Sequence, residues 1–135
     1  MRSLVAQNFS RVQEGHKISL FRSYRTEYAD GCQLRDFVYV RDCVDVVLWL
    51  LERRDVSGIF NVGTGQSRSW LDLAHALFQA AGKPSLVEFV DMPDQLRGRY
   101  QYFTQAEMGK LRQPQLMAMV QRDSETTHLA NPLRT

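Results

Sequence analysis

Apolar residues recur at helical spacing from the start of the chain, where Leu4, Val5, Phe9 and Val12 share one face and predict a helix running to Gly15. Ile18-Ser-Leu-Phe21 reads as a short strand. Arg22 to Cys32 is polar, aromatic and irregular, the pattern of a surface loop. In Arg35-Asp-Phe-Val-Tyr-Val40, β-branched and aromatic residues stand together and predict a second strand. Asp42 then offers an N-cap for an apolar helix from Cys43 to Glu52 carrying Val44, Val47, Leu48, Leu50 and Leu51. Gly58-Ile-Phe-Asn-Val62 is the next predicted strand, followed by a tight turn at Gly63-Thr-Gly65 and a helix from about Ser69 to Ala81. Leu86 to Val90 is a further strand, closed by Met92-Pro93. Thr104-Gln-Ala-Glu107 matches a capping box and predicts one more short helix.

Strands alternating with helices predict an α/β fold. No internal repeat or low-complexity stretch is visible. The first residue falls inside a helical pattern with no strand before it, which reads as the later part of a larger fold. Residues 1–112 form one expected lobe. From about Gln113 the periodicity is lost, so 113–135 is expected to be a divergent, loosely ordered tail.

At 135 residues there is room for one domain with a modest core. Hydrophobic residues at 44% and charged residues at 24% are ordinary for a globular chain. A formal charge of +2, with scattered basic residues, argues against nucleic acid as partner while suiting a small anionic ligand. No apolar run approaches the ~20 residues needed to span a bilayer, so no membrane partner is expected. The N-terminus lacks the apolar stretch of a signal peptide, which makes the cytoplasm the expected compartment. Cys32 and Cys43, with no CxxC and no paired histidines, indicate neither a metal site nor a disulfide framework.

Three motifs carry possible chemistry. In Asn61-Val-Gly-Thr-Gly65, glycines after a strand can let the backbone approach a phosphate, or can simply supply a turn that needs positive φ. Position 68 is Arg, so the third glycine of a dinucleotide fingerprint is missing, and no GxGxxG or GxxxxGK[ST] occurs. Arg35-Asp36 and Arg41-Asp42 bracket the second predicted strand. An arginine there can fork onto a diphosphate or form a surface ion pair with its acidic neighbour, and spacing leaves both open. Asp94-Gln-Leu-Arg-Gly-Arg-Tyr100 suits a loop closing on an anionic ligand and equally suits a solvated basic loop. His16, His75 and His128 stand apart from any nucleophile signature, and no catalytic residue is identified.

Taken together, Arg35-Asp-Phe-Val-Tyr-Val-Arg-Asp42, the apolar helix behind it and Gly58-Ile-Phe-Asn-Val-Gly-Thr-Gly65 resemble the C-terminal half of extended short-chain dehydrogenases/reductases, the NAD-dependent epimerase/dehydratase family. Leu20-Phe-Arg-Ser-Tyr24, Asp30-Gly31, Asp94-Gln-Leu-Arg-Gly-Arg-Tyr-Gln101 and Phe103-Thr-Gln105 resemble the branch that epimerises ADP-activated heptose at C6 for the lipopolysaccharide inner core. The resemblance covers residues 1 to 112 and implies an NAD(P)-binding Rossmann-like fold whose dinucleotide-binding half lies outside this chain. It also implies NADP as cofactor of the intact enzyme and an ADP-sugar as substrate. Substrate contacts fall on Phe21, Arg22, Ser23, Tyr24, Arg35 and Tyr100, with Arg35 on the diphosphate and Tyr100 closing over the ligand. Gln7 stands where the family often carries a histidine near the substrate. Asn61, Gly63 and Gly65 take structural roles.

The departures from the family pattern are as informative. The cofactor loop is absent, Tyr-x-x-x-Lys occurs nowhere, and Met1 corresponds to the methionine just after the family's lysine-bearing loop. The chain is therefore expected to be inactive alone, to bind no cofactor by itself, and to depend on a missing N-terminal half or a homo-oligomer. A core lacking part of its sheet is expected to expose apolar helix surface around Val47 and Trp49. A fragment of another nucleotide-sugar epimerase or dehydratase, a non-catalytic sugar-nucleotide binding module and an inert remnant remain the alternatives.

Overall fold

The computed structural model describes residues 4–112. It contains α1 (Leu4–Gln13), β1 (Ile18–Phe21), β2 (Leu34–Arg35), α2 (Val40–Glu52), β3 (Arg68–Ser69), α3 (Trp70–Ala80), β4 (Val87–Val90) and α4 (Asp94–Arg97). This is the expected α/β alternation. The chain divides into two compact units, Met1–Arg35 with Ser67–Thr104, and Asp36–Gln66 with Gln105–Thr135. The tail expected over 113–135 lies outside the described residues.

The first unit is built on a parallel pair, β1 beside β4, with Ile18 opposite Val87 and Leu20 opposite Phe89. Parallel pairing needs a long crossover, and α3 lies within it. Alternation along β1 sends Ile18 and Leu20 into the core and leaves Ser19 exposed, where its hydroxyl donates to Glu88 Oε1 at 2.6 Å. Ala74, Leu77 and Phe78, at helical spacing on α3, meet Val12 of α1 and the two β1 residues in one buried cluster. Ser69, where the helix was expected to begin, caps α3: its hydroxyl accepts the Asp72 N–H at 2.9 Å, and the Asp72 carboxylate accepts the Ser69 N–H at 3.1 Å. A short antiparallel ladder pairs Leu34 with Ser69 and Arg35 with Arg68, and Leu34 also bridges Phe103. Gly31 crosses this core at φ +72°, and a Cβ there would sit 2.9 Å from the Phe89 ring. No other residue fits that space and that backbone.

The second unit contains α2 and departs from the pattern-based expectation in three places. Of the strand predicted over 35–40 only Arg35 is in a strand, β2 of the first unit, and the helix starts at Val40 instead of after Asp42. Tyr39 is the extended N-cap residue and makes no side-chain cap, whereas Asp42 sits in the first turn, where its charge favours the positive helix end. Gly58–Val62 is irregular: the Ile59 carbonyl accepts from Lys110 Nζ at 3.0 Å, and the Asn61 amide donates to the Glu107 carbonyl at 3.3 Å. These ties run through side chains, those of Lys110 and Asn61. The capping-box helix from Thr104 does not form, because the Ala106 N–H is held by Asp36 at 3.0 Å and Glu107 turns forward to accept the Gly109 N–H at 2.9 Å. In the first unit, α4 occupies a segment read as a loop.

Helix α2 is apolar on two sides. Trp49 is buried, against expectation, while Val40, Val44, Val47, Leu48 and Leu51 are exposed at 48–71%. Their spacing places these five on one face.

Candidate functional site

Phe21 ends β1, and the chain then leaves the sheet through Arg22, Ser23 and Tyr24. Beyond the Arg22 N–H, which donates to the Val90 carbonyl at 2.9 Å, side chains hold this exit. Gln33, 1% exposed, donates its amide to the carbonyls of Phe21 and Arg22 at 3.2 and 3.4 Å. Asp30 accepts the Ser23 N–H at 2.7 Å with one oxygen and pairs with Arg22 at 3.2 Å with the other. Arg22 also reaches Asp91 at 3.7 Å. The Tyr24 N–H donates to the Tyr102 hydroxyl at 3.0 Å.

Around this exit stands a cluster of rings and guanidinium groups. Phe21 and Tyr100 meet edge to face at 6.1 Å, and Tyr100 meets Tyr102 likewise at 5.5 Å. Tyr28 tilts against Tyr102 at 5.4 Å. Arg35 lies over the Tyr100 ring at 5.3 Å, Arg25 over Tyr102 at 4.6 Å, and Arg97 over Tyr24 at 4.1 Å, each within cation–π range. Arg35 also donates to the carbonyls of Leu34, at 2.8 Å, and Gln101. Among the described residues neither Arg25 nor Arg35 has a carboxylate partner, whereas Arg22 pairs with Asp30 and Arg97 with Asp94 at 2.9 Å. The charges of these two arginines are met by rings and, for Arg35, by carbonyl oxygens.

The tyrosines are hydrogen-bonding groups here. Burial is the first cause that raises Tyr24 above the ordinary tyrosine value, reinforced by its hydrogen bond to Asp91 at 3.1 Å and opposed by the Arg97 charge. Burial also raises Tyr100, against the lowering influence of Arg35 and the Trp70 side chain. Neutral phenols at physiological pH donate and accept, which suits ligand binding and not proton abstraction.

Six of the seven residues singled out from the sequence therefore join one network: Phe21, Arg22, Ser23, Tyr24, Arg35 and Tyr100. Gln7 stands on a different element, the exposed surface of α1, which packs on α3. Sequence reasoning missed Gln33, Asp91 and Tyr102, which hold the network together. Tyr102, two residues beyond Tyr100 in an aromatic run, was the available signal.

The Gly63-Thr-Gly65 turn, in the second unit, resolves differently. The Asp36 carboxylate accepts the N–H groups of Thr64 and Gly65 at 2.8 and 2.9 Å, together with the Thr64 hydroxyl. A Cβ on Gly63 would lie 2.5 Å from Ala106 Cβ and 2.6 Å from Asp36 Oδ2. The anion in this cradle is the protein's own. Arg35 and Asp36 therefore form neither an ion pair nor a joint fork. No group of three or more metal-ligating side chains occurs among the described residues, and no described helix is long and apolar enough to cross a membrane.

The family model of the NAD dependent epimerase/dehydratase family matches residues 1–63. A protein of Nitratidesulfovibrio vulgaris Hildenborough named ADP-L-glycero-D-manno-heptose-6-epimerase is 51% identical over 112 residues, which is 83% of this chain and 35% of that protein. Over these residues the chain is similar to the NAD-dependent epimerase/dehydratase family. A second such relative in this family, from Fusobacterium nucleatum, is 44% identical over 119 residues, covering 84% of this chain and 36% of its own length. The chain thus spans about a third of the length of these relatives. Among family structures, the UDP-glucose 4-epimerase of Thermus thermophilus, solved with NAD, superposes with a TM-score of 0.64 at 28% identity, over 84% of this chain and 32% of that one. The Helicobacter pylori ADP-L-glycero-D-manno-heptose-6-epimerase shares the fold at a TM-score of 0.63. The family expected from the motifs around Arg35 and Asn61 is the one found.

Proposed function

We propose that this chain is the sugar-nucleotide-binding portion of an ADP-heptose 6-epimerase-like enzyme. One observation carries the reading: Phe21, Arg22, Ser23, Tyr24, Arg35 and Tyr100, dispersed over 80 positions, belong to one network of rings and guanidinium groups. Arg35, with no carboxylate partner among the described residues, takes the diphosphate through charge-assisted hydrogen bonds. Phe21 to Tyr24 lines the sugar nucleotide, and Tyr100 closes over it. The named relatives at 44–51% identity favour the ADP-heptose branch over UDP- or dTDP-sugar enzymes.

In this reading the intact enzyme uses NADP to oxidise C6 transiently and return hydride to the opposite face, in the cytoplasm, on the way to the lipopolysaccharide inner core. The residues present do not fit the dinucleotide. The chain's one Gly-x-Gly turn already gives its N–H groups to Asp36, and no Tyr-x-x-x-Lys occurs in the 135 residues. What this chain contributes is binding and orientation. By itself it is expected not to interconvert the two heptose epimers.

The test is thermal unfolding of the chain with ADP-heptose, UDP-glucose or a dTDP-sugar. A midpoint raised by ADP-heptose alone is expected, because a ligand that binds only the native state stabilises it. An equal rise with all three returns the chain to the wider family. No rise with any leaves a module without ligand.

A further inference from the structure

We infer that Tyr102 is a positioning residue for the candidate site, acting through Tyr24 on one side and Tyr100 on the other. The inference rests on the reading of those two residues as ADP-sugar contacts. Tyr102 is 4% exposed, and a phenol buried so deeply needs a partner for its hydroxyl. That partner is the Tyr24 N–H, 78 positions away in sequence, at 3.0 Å. Tyr24 belongs to an irregular segment, so its main chain is located by this bond where a strand would have located it by a ladder.

The ring does the complementary task. Its contact with Tyr100, at 5.5 Å and 82°, sets the ring that also meets Phe21 and lies under Arg35. Tyr28 and Arg25 hold the Tyr102 ring in turn. The Tyr102 carbonyl accepts the Leu34 N–H at 2.8 Å, which ties the same residue to the strand bearing Arg35. One side chain and its own peptide thus reach all three pieces of the site: the exit from β1, the arginine of β2 and the closing tyrosine.

The experiment is calorimetric titration of ADP into the full 135-residue chain at 25 °C, with circular dichroism reporting how much of each variant is folded. Arg35→Ala, expected to abolish binding, tests the underlying reading. Tyr102→Phe keeps the ring and removes the acceptor of the Tyr24 N–H. It is expected to weaken ADP binding about fivefold, as the loss of one buried hydrogen bond would. Tyr28→Leu leaves the hydroxyl in place and frees one side of the ring, and about twofold weakening is expected. A role in folding alone would lower the unfolding midpoint and the number of competent sites but leave the dissociation constant of the folded molecules unmoved. Unchanged constants in both variants, with tight binding by the parent chain and none by Arg35→Ala, would overturn the positioning role alone. No ADP binding by the parent chain would overturn the ADP-sugar reading and this inference together.

Discussion

The Asp36 carboxylate gathers backbone from 28, 29 and 70 positions away, accepting from Thr64, Gly65 and Ala106. Partial burial pushes its pKa up, but the hydrogen bonds from Thr64, Ala106 and Gly65 outweigh it and leave the group lowered from 3.8 to about 2. Because the folded value lies below the unfolded one, this stabilisation is complete above pH ~4 and is lost as the pH falls through about 2. Asp36→Asn is expected to destabilise the chain by about 1–3 kcal/mol at pH 7 and to flatten the acid limb of stability between pH 4 and 2, read by urea unfolding at stepped pH. Gly63→Ala is expected to destabilise comparably, by driving a methyl into Ala106 and Asp36. None of this was legible in the sequence. The Arg35-Asp36 pair allowed an ion pair or a diphosphate fork, and an acceptor for distant N–H groups has no local signature. Arg35, by contrast, was singled out through its motif, and its neighbour Gln101 ends another segment on which the resemblance was stated.

At the scale of elements, α1, β1, α3 and β4 were legible because each has a solvent side and a core side, which writes a period into the sequence. The segments that misled are those whose polar groups are met by distant side chains. Asn61 and Lys110 hold the stretch 58–62, and Asp36 holds the start of the expected helix at 104. The start of α2 shifted for a related reason: with Asp36 bound to the glycine turn, Phe37 to Tyr39 lead into the helix and extend no ladder. The start of α3 was read at about Ser69, and its cap, formed by Ser69 with Asp72 three residues on, was not named. Ser69→Ala is expected to lower stability by about 1 kcal/mol in a denaturant melt, and Ser69→Asp to recover most of it.

For the whole molecule, two apolar sides on α2 are the feature that composition concealed. Five exposed aliphatic residues on one helix face make a patch of the kind that drives association. Sedimentation at increasing concentration is expected to show self-association, reduced by Val47→Lys with Leu51→Lys at a stability change within about 0.5 kcal/mol. A concentration-independent monomer would refute that expectation. The pairing of β1 with β4 has a different kind of consequence. Ser19 meets Glu88 across 69 intervening steps of chain, and the first unit has no sheet core until that meeting occurs. So distant a closure belongs to the slow end of folding topologies. On the ribosome, β1 emerges and waits several seconds for its partner, at synthesis rates of roughly 5–20 residues per second. During that interval Ile18 and Leu20 have no strand to shield them, and a chaperone that holds short apolar segments has its natural moment of engagement there.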